Sequence, residues 1–312
     1  MKTNNTTADI FVKIQNLSLK NPTILASGLL GLDVHTLEAV VKGGAGAVTM
    51  KSLTKEPRKG HNNPILVEIE GGFMNAVGYA NKGIEKGVTE FGKWKNETPL
   101  IGSIVAGSPE EFAELTEKIQ EIPIQALEIA LSCPHTPGYG LLAGQGTSEA
   151  TSAITKAVKN KLKSTIPLFV KLSPSVSALG EIAKAAESEG ADAINMGNTL
   201  GPGMKIDINR ASPILAFKVG GLSGPAIKPV MIRCVYDLYE AVRIPIIATG
   251  GISTGEDMIE AIMAGATAVG IGTAIYYRGI SVFSKIIREA TKWLSNKNYL
   301  DIMSLKGVAH QK

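Results

Sequence analysis

One pattern, met three times, limits what this chain can fold into: an amphipathic helix, a glycine, then a short apolar strand. It occurs in HTLEAVVKGGAGAVTMKS (35–52), LGEIAKAAESEGADAINMG (179–197) and GEDMIEAIMAGATAVGIGT (255–273). In each, apolar residues recur at three- and four-residue spacing, and a G-A-x-A-[VI] junction turns the chain into a strand. Strands that are apolar on both faces and alternate with helices belong in a parallel sheet. Eight such strands can be read: TILAS (23–27), AVTMK (47–51), LIGSIV (100–105), ALEIALS (126–132), PLFVKLS (167–173), DAINMG (192–197), PIIATG (245–250) and AVGIG (268–272). Eight parallel strands with intervening helices close into an α/β fold, the (β/α)8 TIM barrel; an open doubly wound sheet is the alternative. A length of 312 residues at 44% hydrophobic content suits one such domain spanning 1–312.

Three stretches depart from the repeat. DIFVKIQNLSLKNP (9–22) reads as an N-terminal β-hairpin that closes the bottom of the barrel. Residues 52–98 are rich in Gly, Asn and Pro and too long for an ordinary βα loop, so they are expected to build part of a site or its cover. The uncharged run AIMAGATAVGIGTAIYY (261–277) is shorter than a typical membrane span and changes period midway, as a helix end followed by a buried strand would.

Charge and cysteine usage exclude several classes. The 32 basic and 28 acidic residues are spread along the chain with no basic block, so nucleic acid is not an expected partner. The net charge of +4 favours anionic small ligands only mildly. Cys133 and Cys234 are too few for an iron–sulfur cluster or a disulfide framework. The four histidines (35, 61, 135 and 310) lack ligand spacing, and no metal site is expected. MKTNNTTADIFVKIQN has no apolar leader core, which predicts a cytoplasmic protein without a membrane anchor.

In a barrel of this kind chemistry gathers at the C-terminal ends of the strands. Those ends are Ser27-Gly28, Lys51-Ser52, Ser132-Cys133, Lys171, Asn198-Thr199, Gly250-Gly251 and Gly272-Thr273, which brings small, polar and cationic residues to one rim. The glycines of ATGGIST (248–254) and GIGTA (270–274) either offer backbone N–H groups to a phosphate or simply make tight turns. Lys51 and Lys171 either meet an anion and an electron-rich ring or snorkel at the rim. Cys133 precedes Pro134 and a loop, PHTPGYGLLAGQG (134–146), suited to opening and closing. It is either a general base or nucleophile, or a small residue ending a strand. Cys234 lies inside the helical stretch PVMIRCVYDLYEAV (229–242) and reads as a packing residue.

NPTILASG (21–28), KSLTKEPRKGHNNP (51–64), GGFMNAVGYANKG (71–83), LSCPH (131–135), FVKLSP (169–174), NTLGPGMKID (198–207), GGLSGPAIKPV (220–230) and TGGI (249–252), taken in this order, resemble the class 1 dihydroorotate dehydrogenases over nearly the whole chain. MNAVGYAN with GGLSGPAIKPV is similar to the 1B branch, the archaeal and Gram-positive type. The resemblance implies bound FMN and oxidation of dihydroorotate to orotate in pyrimidine biosynthesis. Cys133 would remove the C5 proton while C6 hydride passes to the flavin. Ser27, Lys51, Ser52, Ser103, Lys171, Gly197, Gly224, Gly250, Gly251, Gly272 and Thr273 would hold FMN, with Lys171 favouring the reduced, anionic ring. Lys51, Asn75, Ala76, Val77, Gly78, Tyr79, Asn198 and Thr199 would surround the substrate, Lys51 answering its carboxylate and the asparagines its ring. A homodimer is implied, with a partner subunit carrying FAD and [2Fe-2S] that passes electrons to NAD; fumarate and quinones are the other acceptors open.

Three positions depart from the resemblance. The family's asparagine three residues before the cysteine is Ala130 here, a loss of about 1–3 kcal/mol for a buried polar ligand unless another group substitutes. The asparagine before V-A-G is Ser103, and the asparagine after C-P is His135. SCPH with AGQ (143–145) is similar to the flavin domain of dihydropyrimidine dehydrogenase, so oxidation or reduction of another dihydropyrimidine is an alternative. A non-catalytic flavin-binding paralogue is a further one.

Overall fold

Each of the eight apolar stretches contains a strand in the computed structural model, which describes residues 8–311. Residues 1–7 of the N-terminal stretch and the last residue of the span 1–312 lie outside the described residues. The strands are β1 (Thr23–Leu25), β2 (Ala47–Thr49), β3 (Leu100–Ile104), β4 (Ala126–Ala130), β5 (Leu168–Leu172), β6 (Ala193–Met196), β7 (Ile246–Thr249) and β8 (Ala268–Ile271). Each pairs in parallel with its sequence neighbours, and β8 returns to β1 with Val269 opposite Thr23 and Ile271 opposite Leu25. That last pairing closes the barrel and rules out the open doubly wound sheet.

The helices α1 (Val34–Lys42), α2 (Ile84–Phe91), α3 (Pro109–Ile119), α4 (Ser148–Lys159), α5 (Leu179–Ser188), α6 (Lys228–Ala241) and α7 (Gly255–Met263) follow the strand of the same number. The short α8 (Ala274–Arg278) and the longer α9 (Val282–Asn296) follow β8. Asp33, Ser108, Thr147 and Thr254 cap α1, α3, α4 and α7 through their side chains, each contributing about 1 kcal/mol. The glycine of the recurring junction has one conformational reason. Gly44, Gly190 and Gly265 have φ of 104°, 93° and 122°, values that L side chains resist, and there the chain leaves the helix for the next strand.

β3, β4 and β5 are buried at every position, which explains their unbroken apolar reading. The N-terminal hairpin pairs Val12–Ile14 with Leu17–Leu19 and buries Val12, Ile14, Leu17 and Leu19 while Lys13 and Ser18 face out. Asn16 at its turn donates to the Thr165 carbonyl (2.6 Å), just ahead of β5, which sets the hairpin at the bottom of the barrel.

The insertion after β2 forms a hairpin, Leu66–Ile69 with Gly72–Asn75. A second excursion, after β6, adds Gly220–Ser223 beside Gly72–Asn75 and then Leu200–Gly203, making a four-stranded antiparallel sheet. The cover is thus assembled from two distant segments. The second was not readable as strand, because LGPG and GGLS lack both alternation and β-forming side chains.

Candidate active site

Between the C-terminal rim of the barrel and this sheet lies a cavity of about 370 Å³. Ser27, Lys51, Ser52, Cys133, Lys171, Gly197, Asn198, Thr199, Gly224, Gly250, Gly251, Gly272 and Thr273 line it, joined from the cover by Asn75, Val77, Gly78 and Tyr79. Two expected residues are set back from it. Ser103 is fully buried within β3 and shares hydrogen bonds with Ser52 (2.9 Å) and Glu128 (3.3 Å). Ala76 packs with Met74 and Leu215 in a small apolar cluster of the cover.

The floor is a polar network inside the barrel, and its centre is a residue that the strand-end reading missed. Glu128, in the middle of β4, is 1% exposed. Its Oε1 accepts from Ser27 (2.7 Å) and Ser103, and its Oε2 from Asn195 of β6 (2.6 Å). Thr249 of β7 donates to Asn195 Oδ1 (2.7 Å). Lys171 donates to Ser27 (3.0 Å) and stands 3.8 Å from Glu128, so the inward lysine has a buried counter-ion. Burying two charges is tolerated only when such bonds satisfy them. The available signal was a carboxylate inside an otherwise apolar strand, next to a strand that carries an inward lysine.

Cys133 follows β4, is 5% exposed, and its S–H donates to Thr136 Oγ1 (3.0 Å). The loop after it is pinned rather than free: Leu141 N–H donates to the Cys133 carbonyl (2.9 Å), and Gln145 bridges Gly140 and the Ala106 carbonyl. Lys51 faces the same space. Burial, with Lys171 as a second cause, lowers its pKa to about 8, and Cys133 opposes the shift. His135 also lines the cavity; burial first, then His61, lowers it to about 4, so its ring is neutral at neutral pH. Ala130 lines the cavity as well, which places two of the three departures from the family pattern in its wall. Asn198 donates to Ser132 (2.9 Å), which fixes its amide at the rim. Cys234, by contrast, is half-buried in α6 and packs on the core, its thiol pushed up mainly by burial.

At the far end of the cavity the main-chain N–H groups of Gly250, Gly251, Gly272 and Thr273 make no hydrogen bond among the described residues. Gly250 and Gly251 have φ of 142° and 76°, and a Cβ there would collide with Met231 and Lys228. Amides without internal partners after β7 and β8, at one cavity wall, have the right chemistry for a phosphate. With the lysines and serines that also line the cavity, the residues present fit a phosphate-bearing ring cofactor.

Fold and site together define a closed (β/α)8 barrel whose rim cavity brings a buried cysteine and two buried lysines together with a cradle of glycine amides. A family profile described as dihydroorotate dehydrogenase matches residues 10–294. The chain is 44% identical over 298 residues to the catalytic subunit of dihydroorotate dehydrogenase B (NAD(+)) of Methanothermobacter thermautotrophicus, covering 95% of this chain and 97% of that one. The same subunit of Methanocaldococcus jannaschii is 44% identical over 96% and 97% of the two chains, and that of Pyrococcus abyssi 43% over 96% and 98%. A crystal structure of DHODH from Eimeria tenella in complex with ferulenol superposes with a TM-score of 0.84 at 23% identity, over 97% of this chain and 89% of that one, a likeness of fold. The chain belongs to the dihydroorotate dehydrogenase family, whose members are flavin-dependent oxidoreductases.

Proposed function

We propose that the chain binds FMN and oxidises dihydroorotate to orotate, the redox step of pyrimidine biosynthesis, as the catalytic subunit of a larger enzyme. One observation carries the reading beyond family membership: a single cavity joins Cys133 and Lys51 at one end to four free backbone amides at the other. The amides of Gly250, Gly251, Gly272 and Thr273 suit the FMN phosphate, while Ser27 and Lys171 suit its ring. Bound there, FMN supplies the two-electron acceptor for the hydride that leaves C6. Lys51 pairs with the substrate carboxylate, and Asn75 and Asn198 offer amides to the ring. Cys133 takes the C5 proton and returns to the S–H form that Thr136 accepts. The cover sheet excludes water from the reacting carbons.

The relatives' name, catalytic subunit of an NAD(+) enzyme, supports a partner for this chain. We propose a subunit carrying FAD and a [2Fe-2S] cluster, with this chain a single barrel domain that forms a cytoplasmic homodimer. Ala130 and the neutral His135 in the cavity wall favour one second reading, a different dihydropyrimidine as substrate. Anaerobic addition of dihydroorotate to the FMN-loaded chain decides between them. Bleaching of the flavin is expected. A protein that stays yellow with dihydroorotate and bleaches with dihydrouracil overturns the first reading in favour of the second.

A further inference from the structure

Among the described residues five buried side-chain polar atoms lack a hydrogen-bond partner, and the Tyr79 hydroxyl is one of them. It stands apart because of what it faces. The phenol lies against the Cys133 sulfur without completing a hydrogen bond to it. Tyr79 also has φ of 56°, in the left-handed region that a bulky side chain avoids. The conformation is imposed from two sides: Asn81 donates to the Tyr79 carbonyl (2.7 Å) and Arg58 Nε to the Gly78 carbonyl (3.3 Å). The fold therefore enforces a strained backbone that aims a phenol at the cysteine and leaves its hydroxyl unbonded. Strain and an unsatisfied donor at one residue mark a functional position.

We propose that Tyr79 is a positioning residue for the base, its hydroxyl donating a hydrogen bond to the Cys133 thiolate. The inference rests on the role assigned to Cys133 above. A thiol sulfur is a weak acceptor and a thiolate a strong one, so the bond gains strength only when the sulfur ionises. In the thiol form described here the S–H is turned to Thr136, and the phenol has little to donate to. When the thiolate takes a proton from the substrate carbon, an S–H bond forms, the C–H bond breaks, and its electron pair stays with the substrate. The phenol keeps its own proton throughout, since burial and then Cys133 raise Tyr79 well above the ordinary phenol range. Lys51 at the end of β2, Lys171 of β5 and neutral His135 line the same cavity, Lys51 being coupled to Cys133, while Glu128 of β4 and Arg58 act on the phenol. The lysines supply field; the phenol supplies a directed donor.

The test compares the FMN-loaded wild type with Tyr79→Phe and with Tyr79→Leu. The rate of Cys133 alkylation by iodoacetamide is followed against pH, with Cys133→Ser giving the background from Cys234. Loss of a hydrogen bond to a charged group is expected to raise the alkylation midpoint by about one to two pH units in both variants. Flavin bleaching by dihydroorotate at pH 7 should slow about tenfold or more, while the orotate Kd, read from the flavin spectrum, stays put. An unmoved midpoint overturns the proposal, including the case in which the orotate Kd moves and Tyr79 is a substrate contact. A wild type that alkylates normally yet is not bleached by dihydroorotate sinks the substrate assignment, and the alkylation midpoint still decides this inference.

Discussion

Cys133 and Lys51 share one buried space, and each sets a testable property of the other's reaction. Replacing Cys133 with Ala removes the proposed proton acceptor and leaves the glycine amides and Lys171 in place. FMN should remain bound while bleaching by dihydroorotate slows by about 10²–10⁴ at neutral pH, measured by anaerobic stopped flow. Lys51 titrates near 8 rather than at its ordinary 10.5, because burial disfavours its charge. Between about 8 and 10.5 the unfolded chain binds the extra proton, so this lysine's contribution to stability rises with pH across that window and is least below it. A carboxylate ligand acts in the opposite direction, restoring the charge. Orotate should therefore bind with proton uptake near pH 8 and weaken as pH rises past it. Titration calorimetry in two buffers of different ionisation enthalpy measures the uptake, and Lys51→Met should abolish it. These two residues were legible in the sequence because strand ends can be counted. Glu128 and Asn195 were not, since they act from inside strands whose flanks read as pure core.

The strands and helices carry a different lesson. The G-A-x-A-[VI] junctions and the capping residues are local signals, and α1, α5 and α7 form where periodicity places them. The cover sheet is not local. Gly220–Ser223 becomes a strand only because Gly72–Asn75, far away in sequence, offers it an edge, and Gly220 and Gly221 fit there because a Cβ would strike Asn75 and Thr199. Inside the barrel, β4 and β5 are joined by the Lys171–Glu128 pair as well as by their ladder. Glu128→Ala strands a buried cation beneath the site. Breaking a buried pair in this way costs about 3–5 kcal/mol, so urea unfolding should show a lower midpoint. Glu128→Gln, which keeps an acceptor for Ser27, should lose less. Equal loss in the two variants would mean that the hydrogen bonds an amide can keep add nothing, and that the charge of Glu128 opposite Lys171 accounts for the whole effect.

At the scale of the whole molecule, the chain's own inventory constrains where the electrons go. Its two cysteines, Cys133 at the cavity and Cys234 in α6, are fewer than the four thiolates that commonly hold a cluster. A second hollow, lined by Leu32, Asn81 and Phe91 among others, holds only about 10 Å³, far below what a dinucleotide occupies. Among the described residues no helix is long and apolar enough to cross a membrane. The relatives' name, catalytic subunit of an NAD(+) enzyme, agrees with the proposed route in which a second protein hands the electrons to NAD. The isolated chain with dihydroorotate and NAD should therefore form NADH no faster than the bare flavin background, while a small artificial acceptor such as a dye supports turnover. Adding a subunit that holds FAD and [2Fe-2S] should raise the NAD rate by orders of magnitude with the dye rate unchanged. Sustained NADH production by the chain alone would place the NAD site on this barrel and remove the need for a partner.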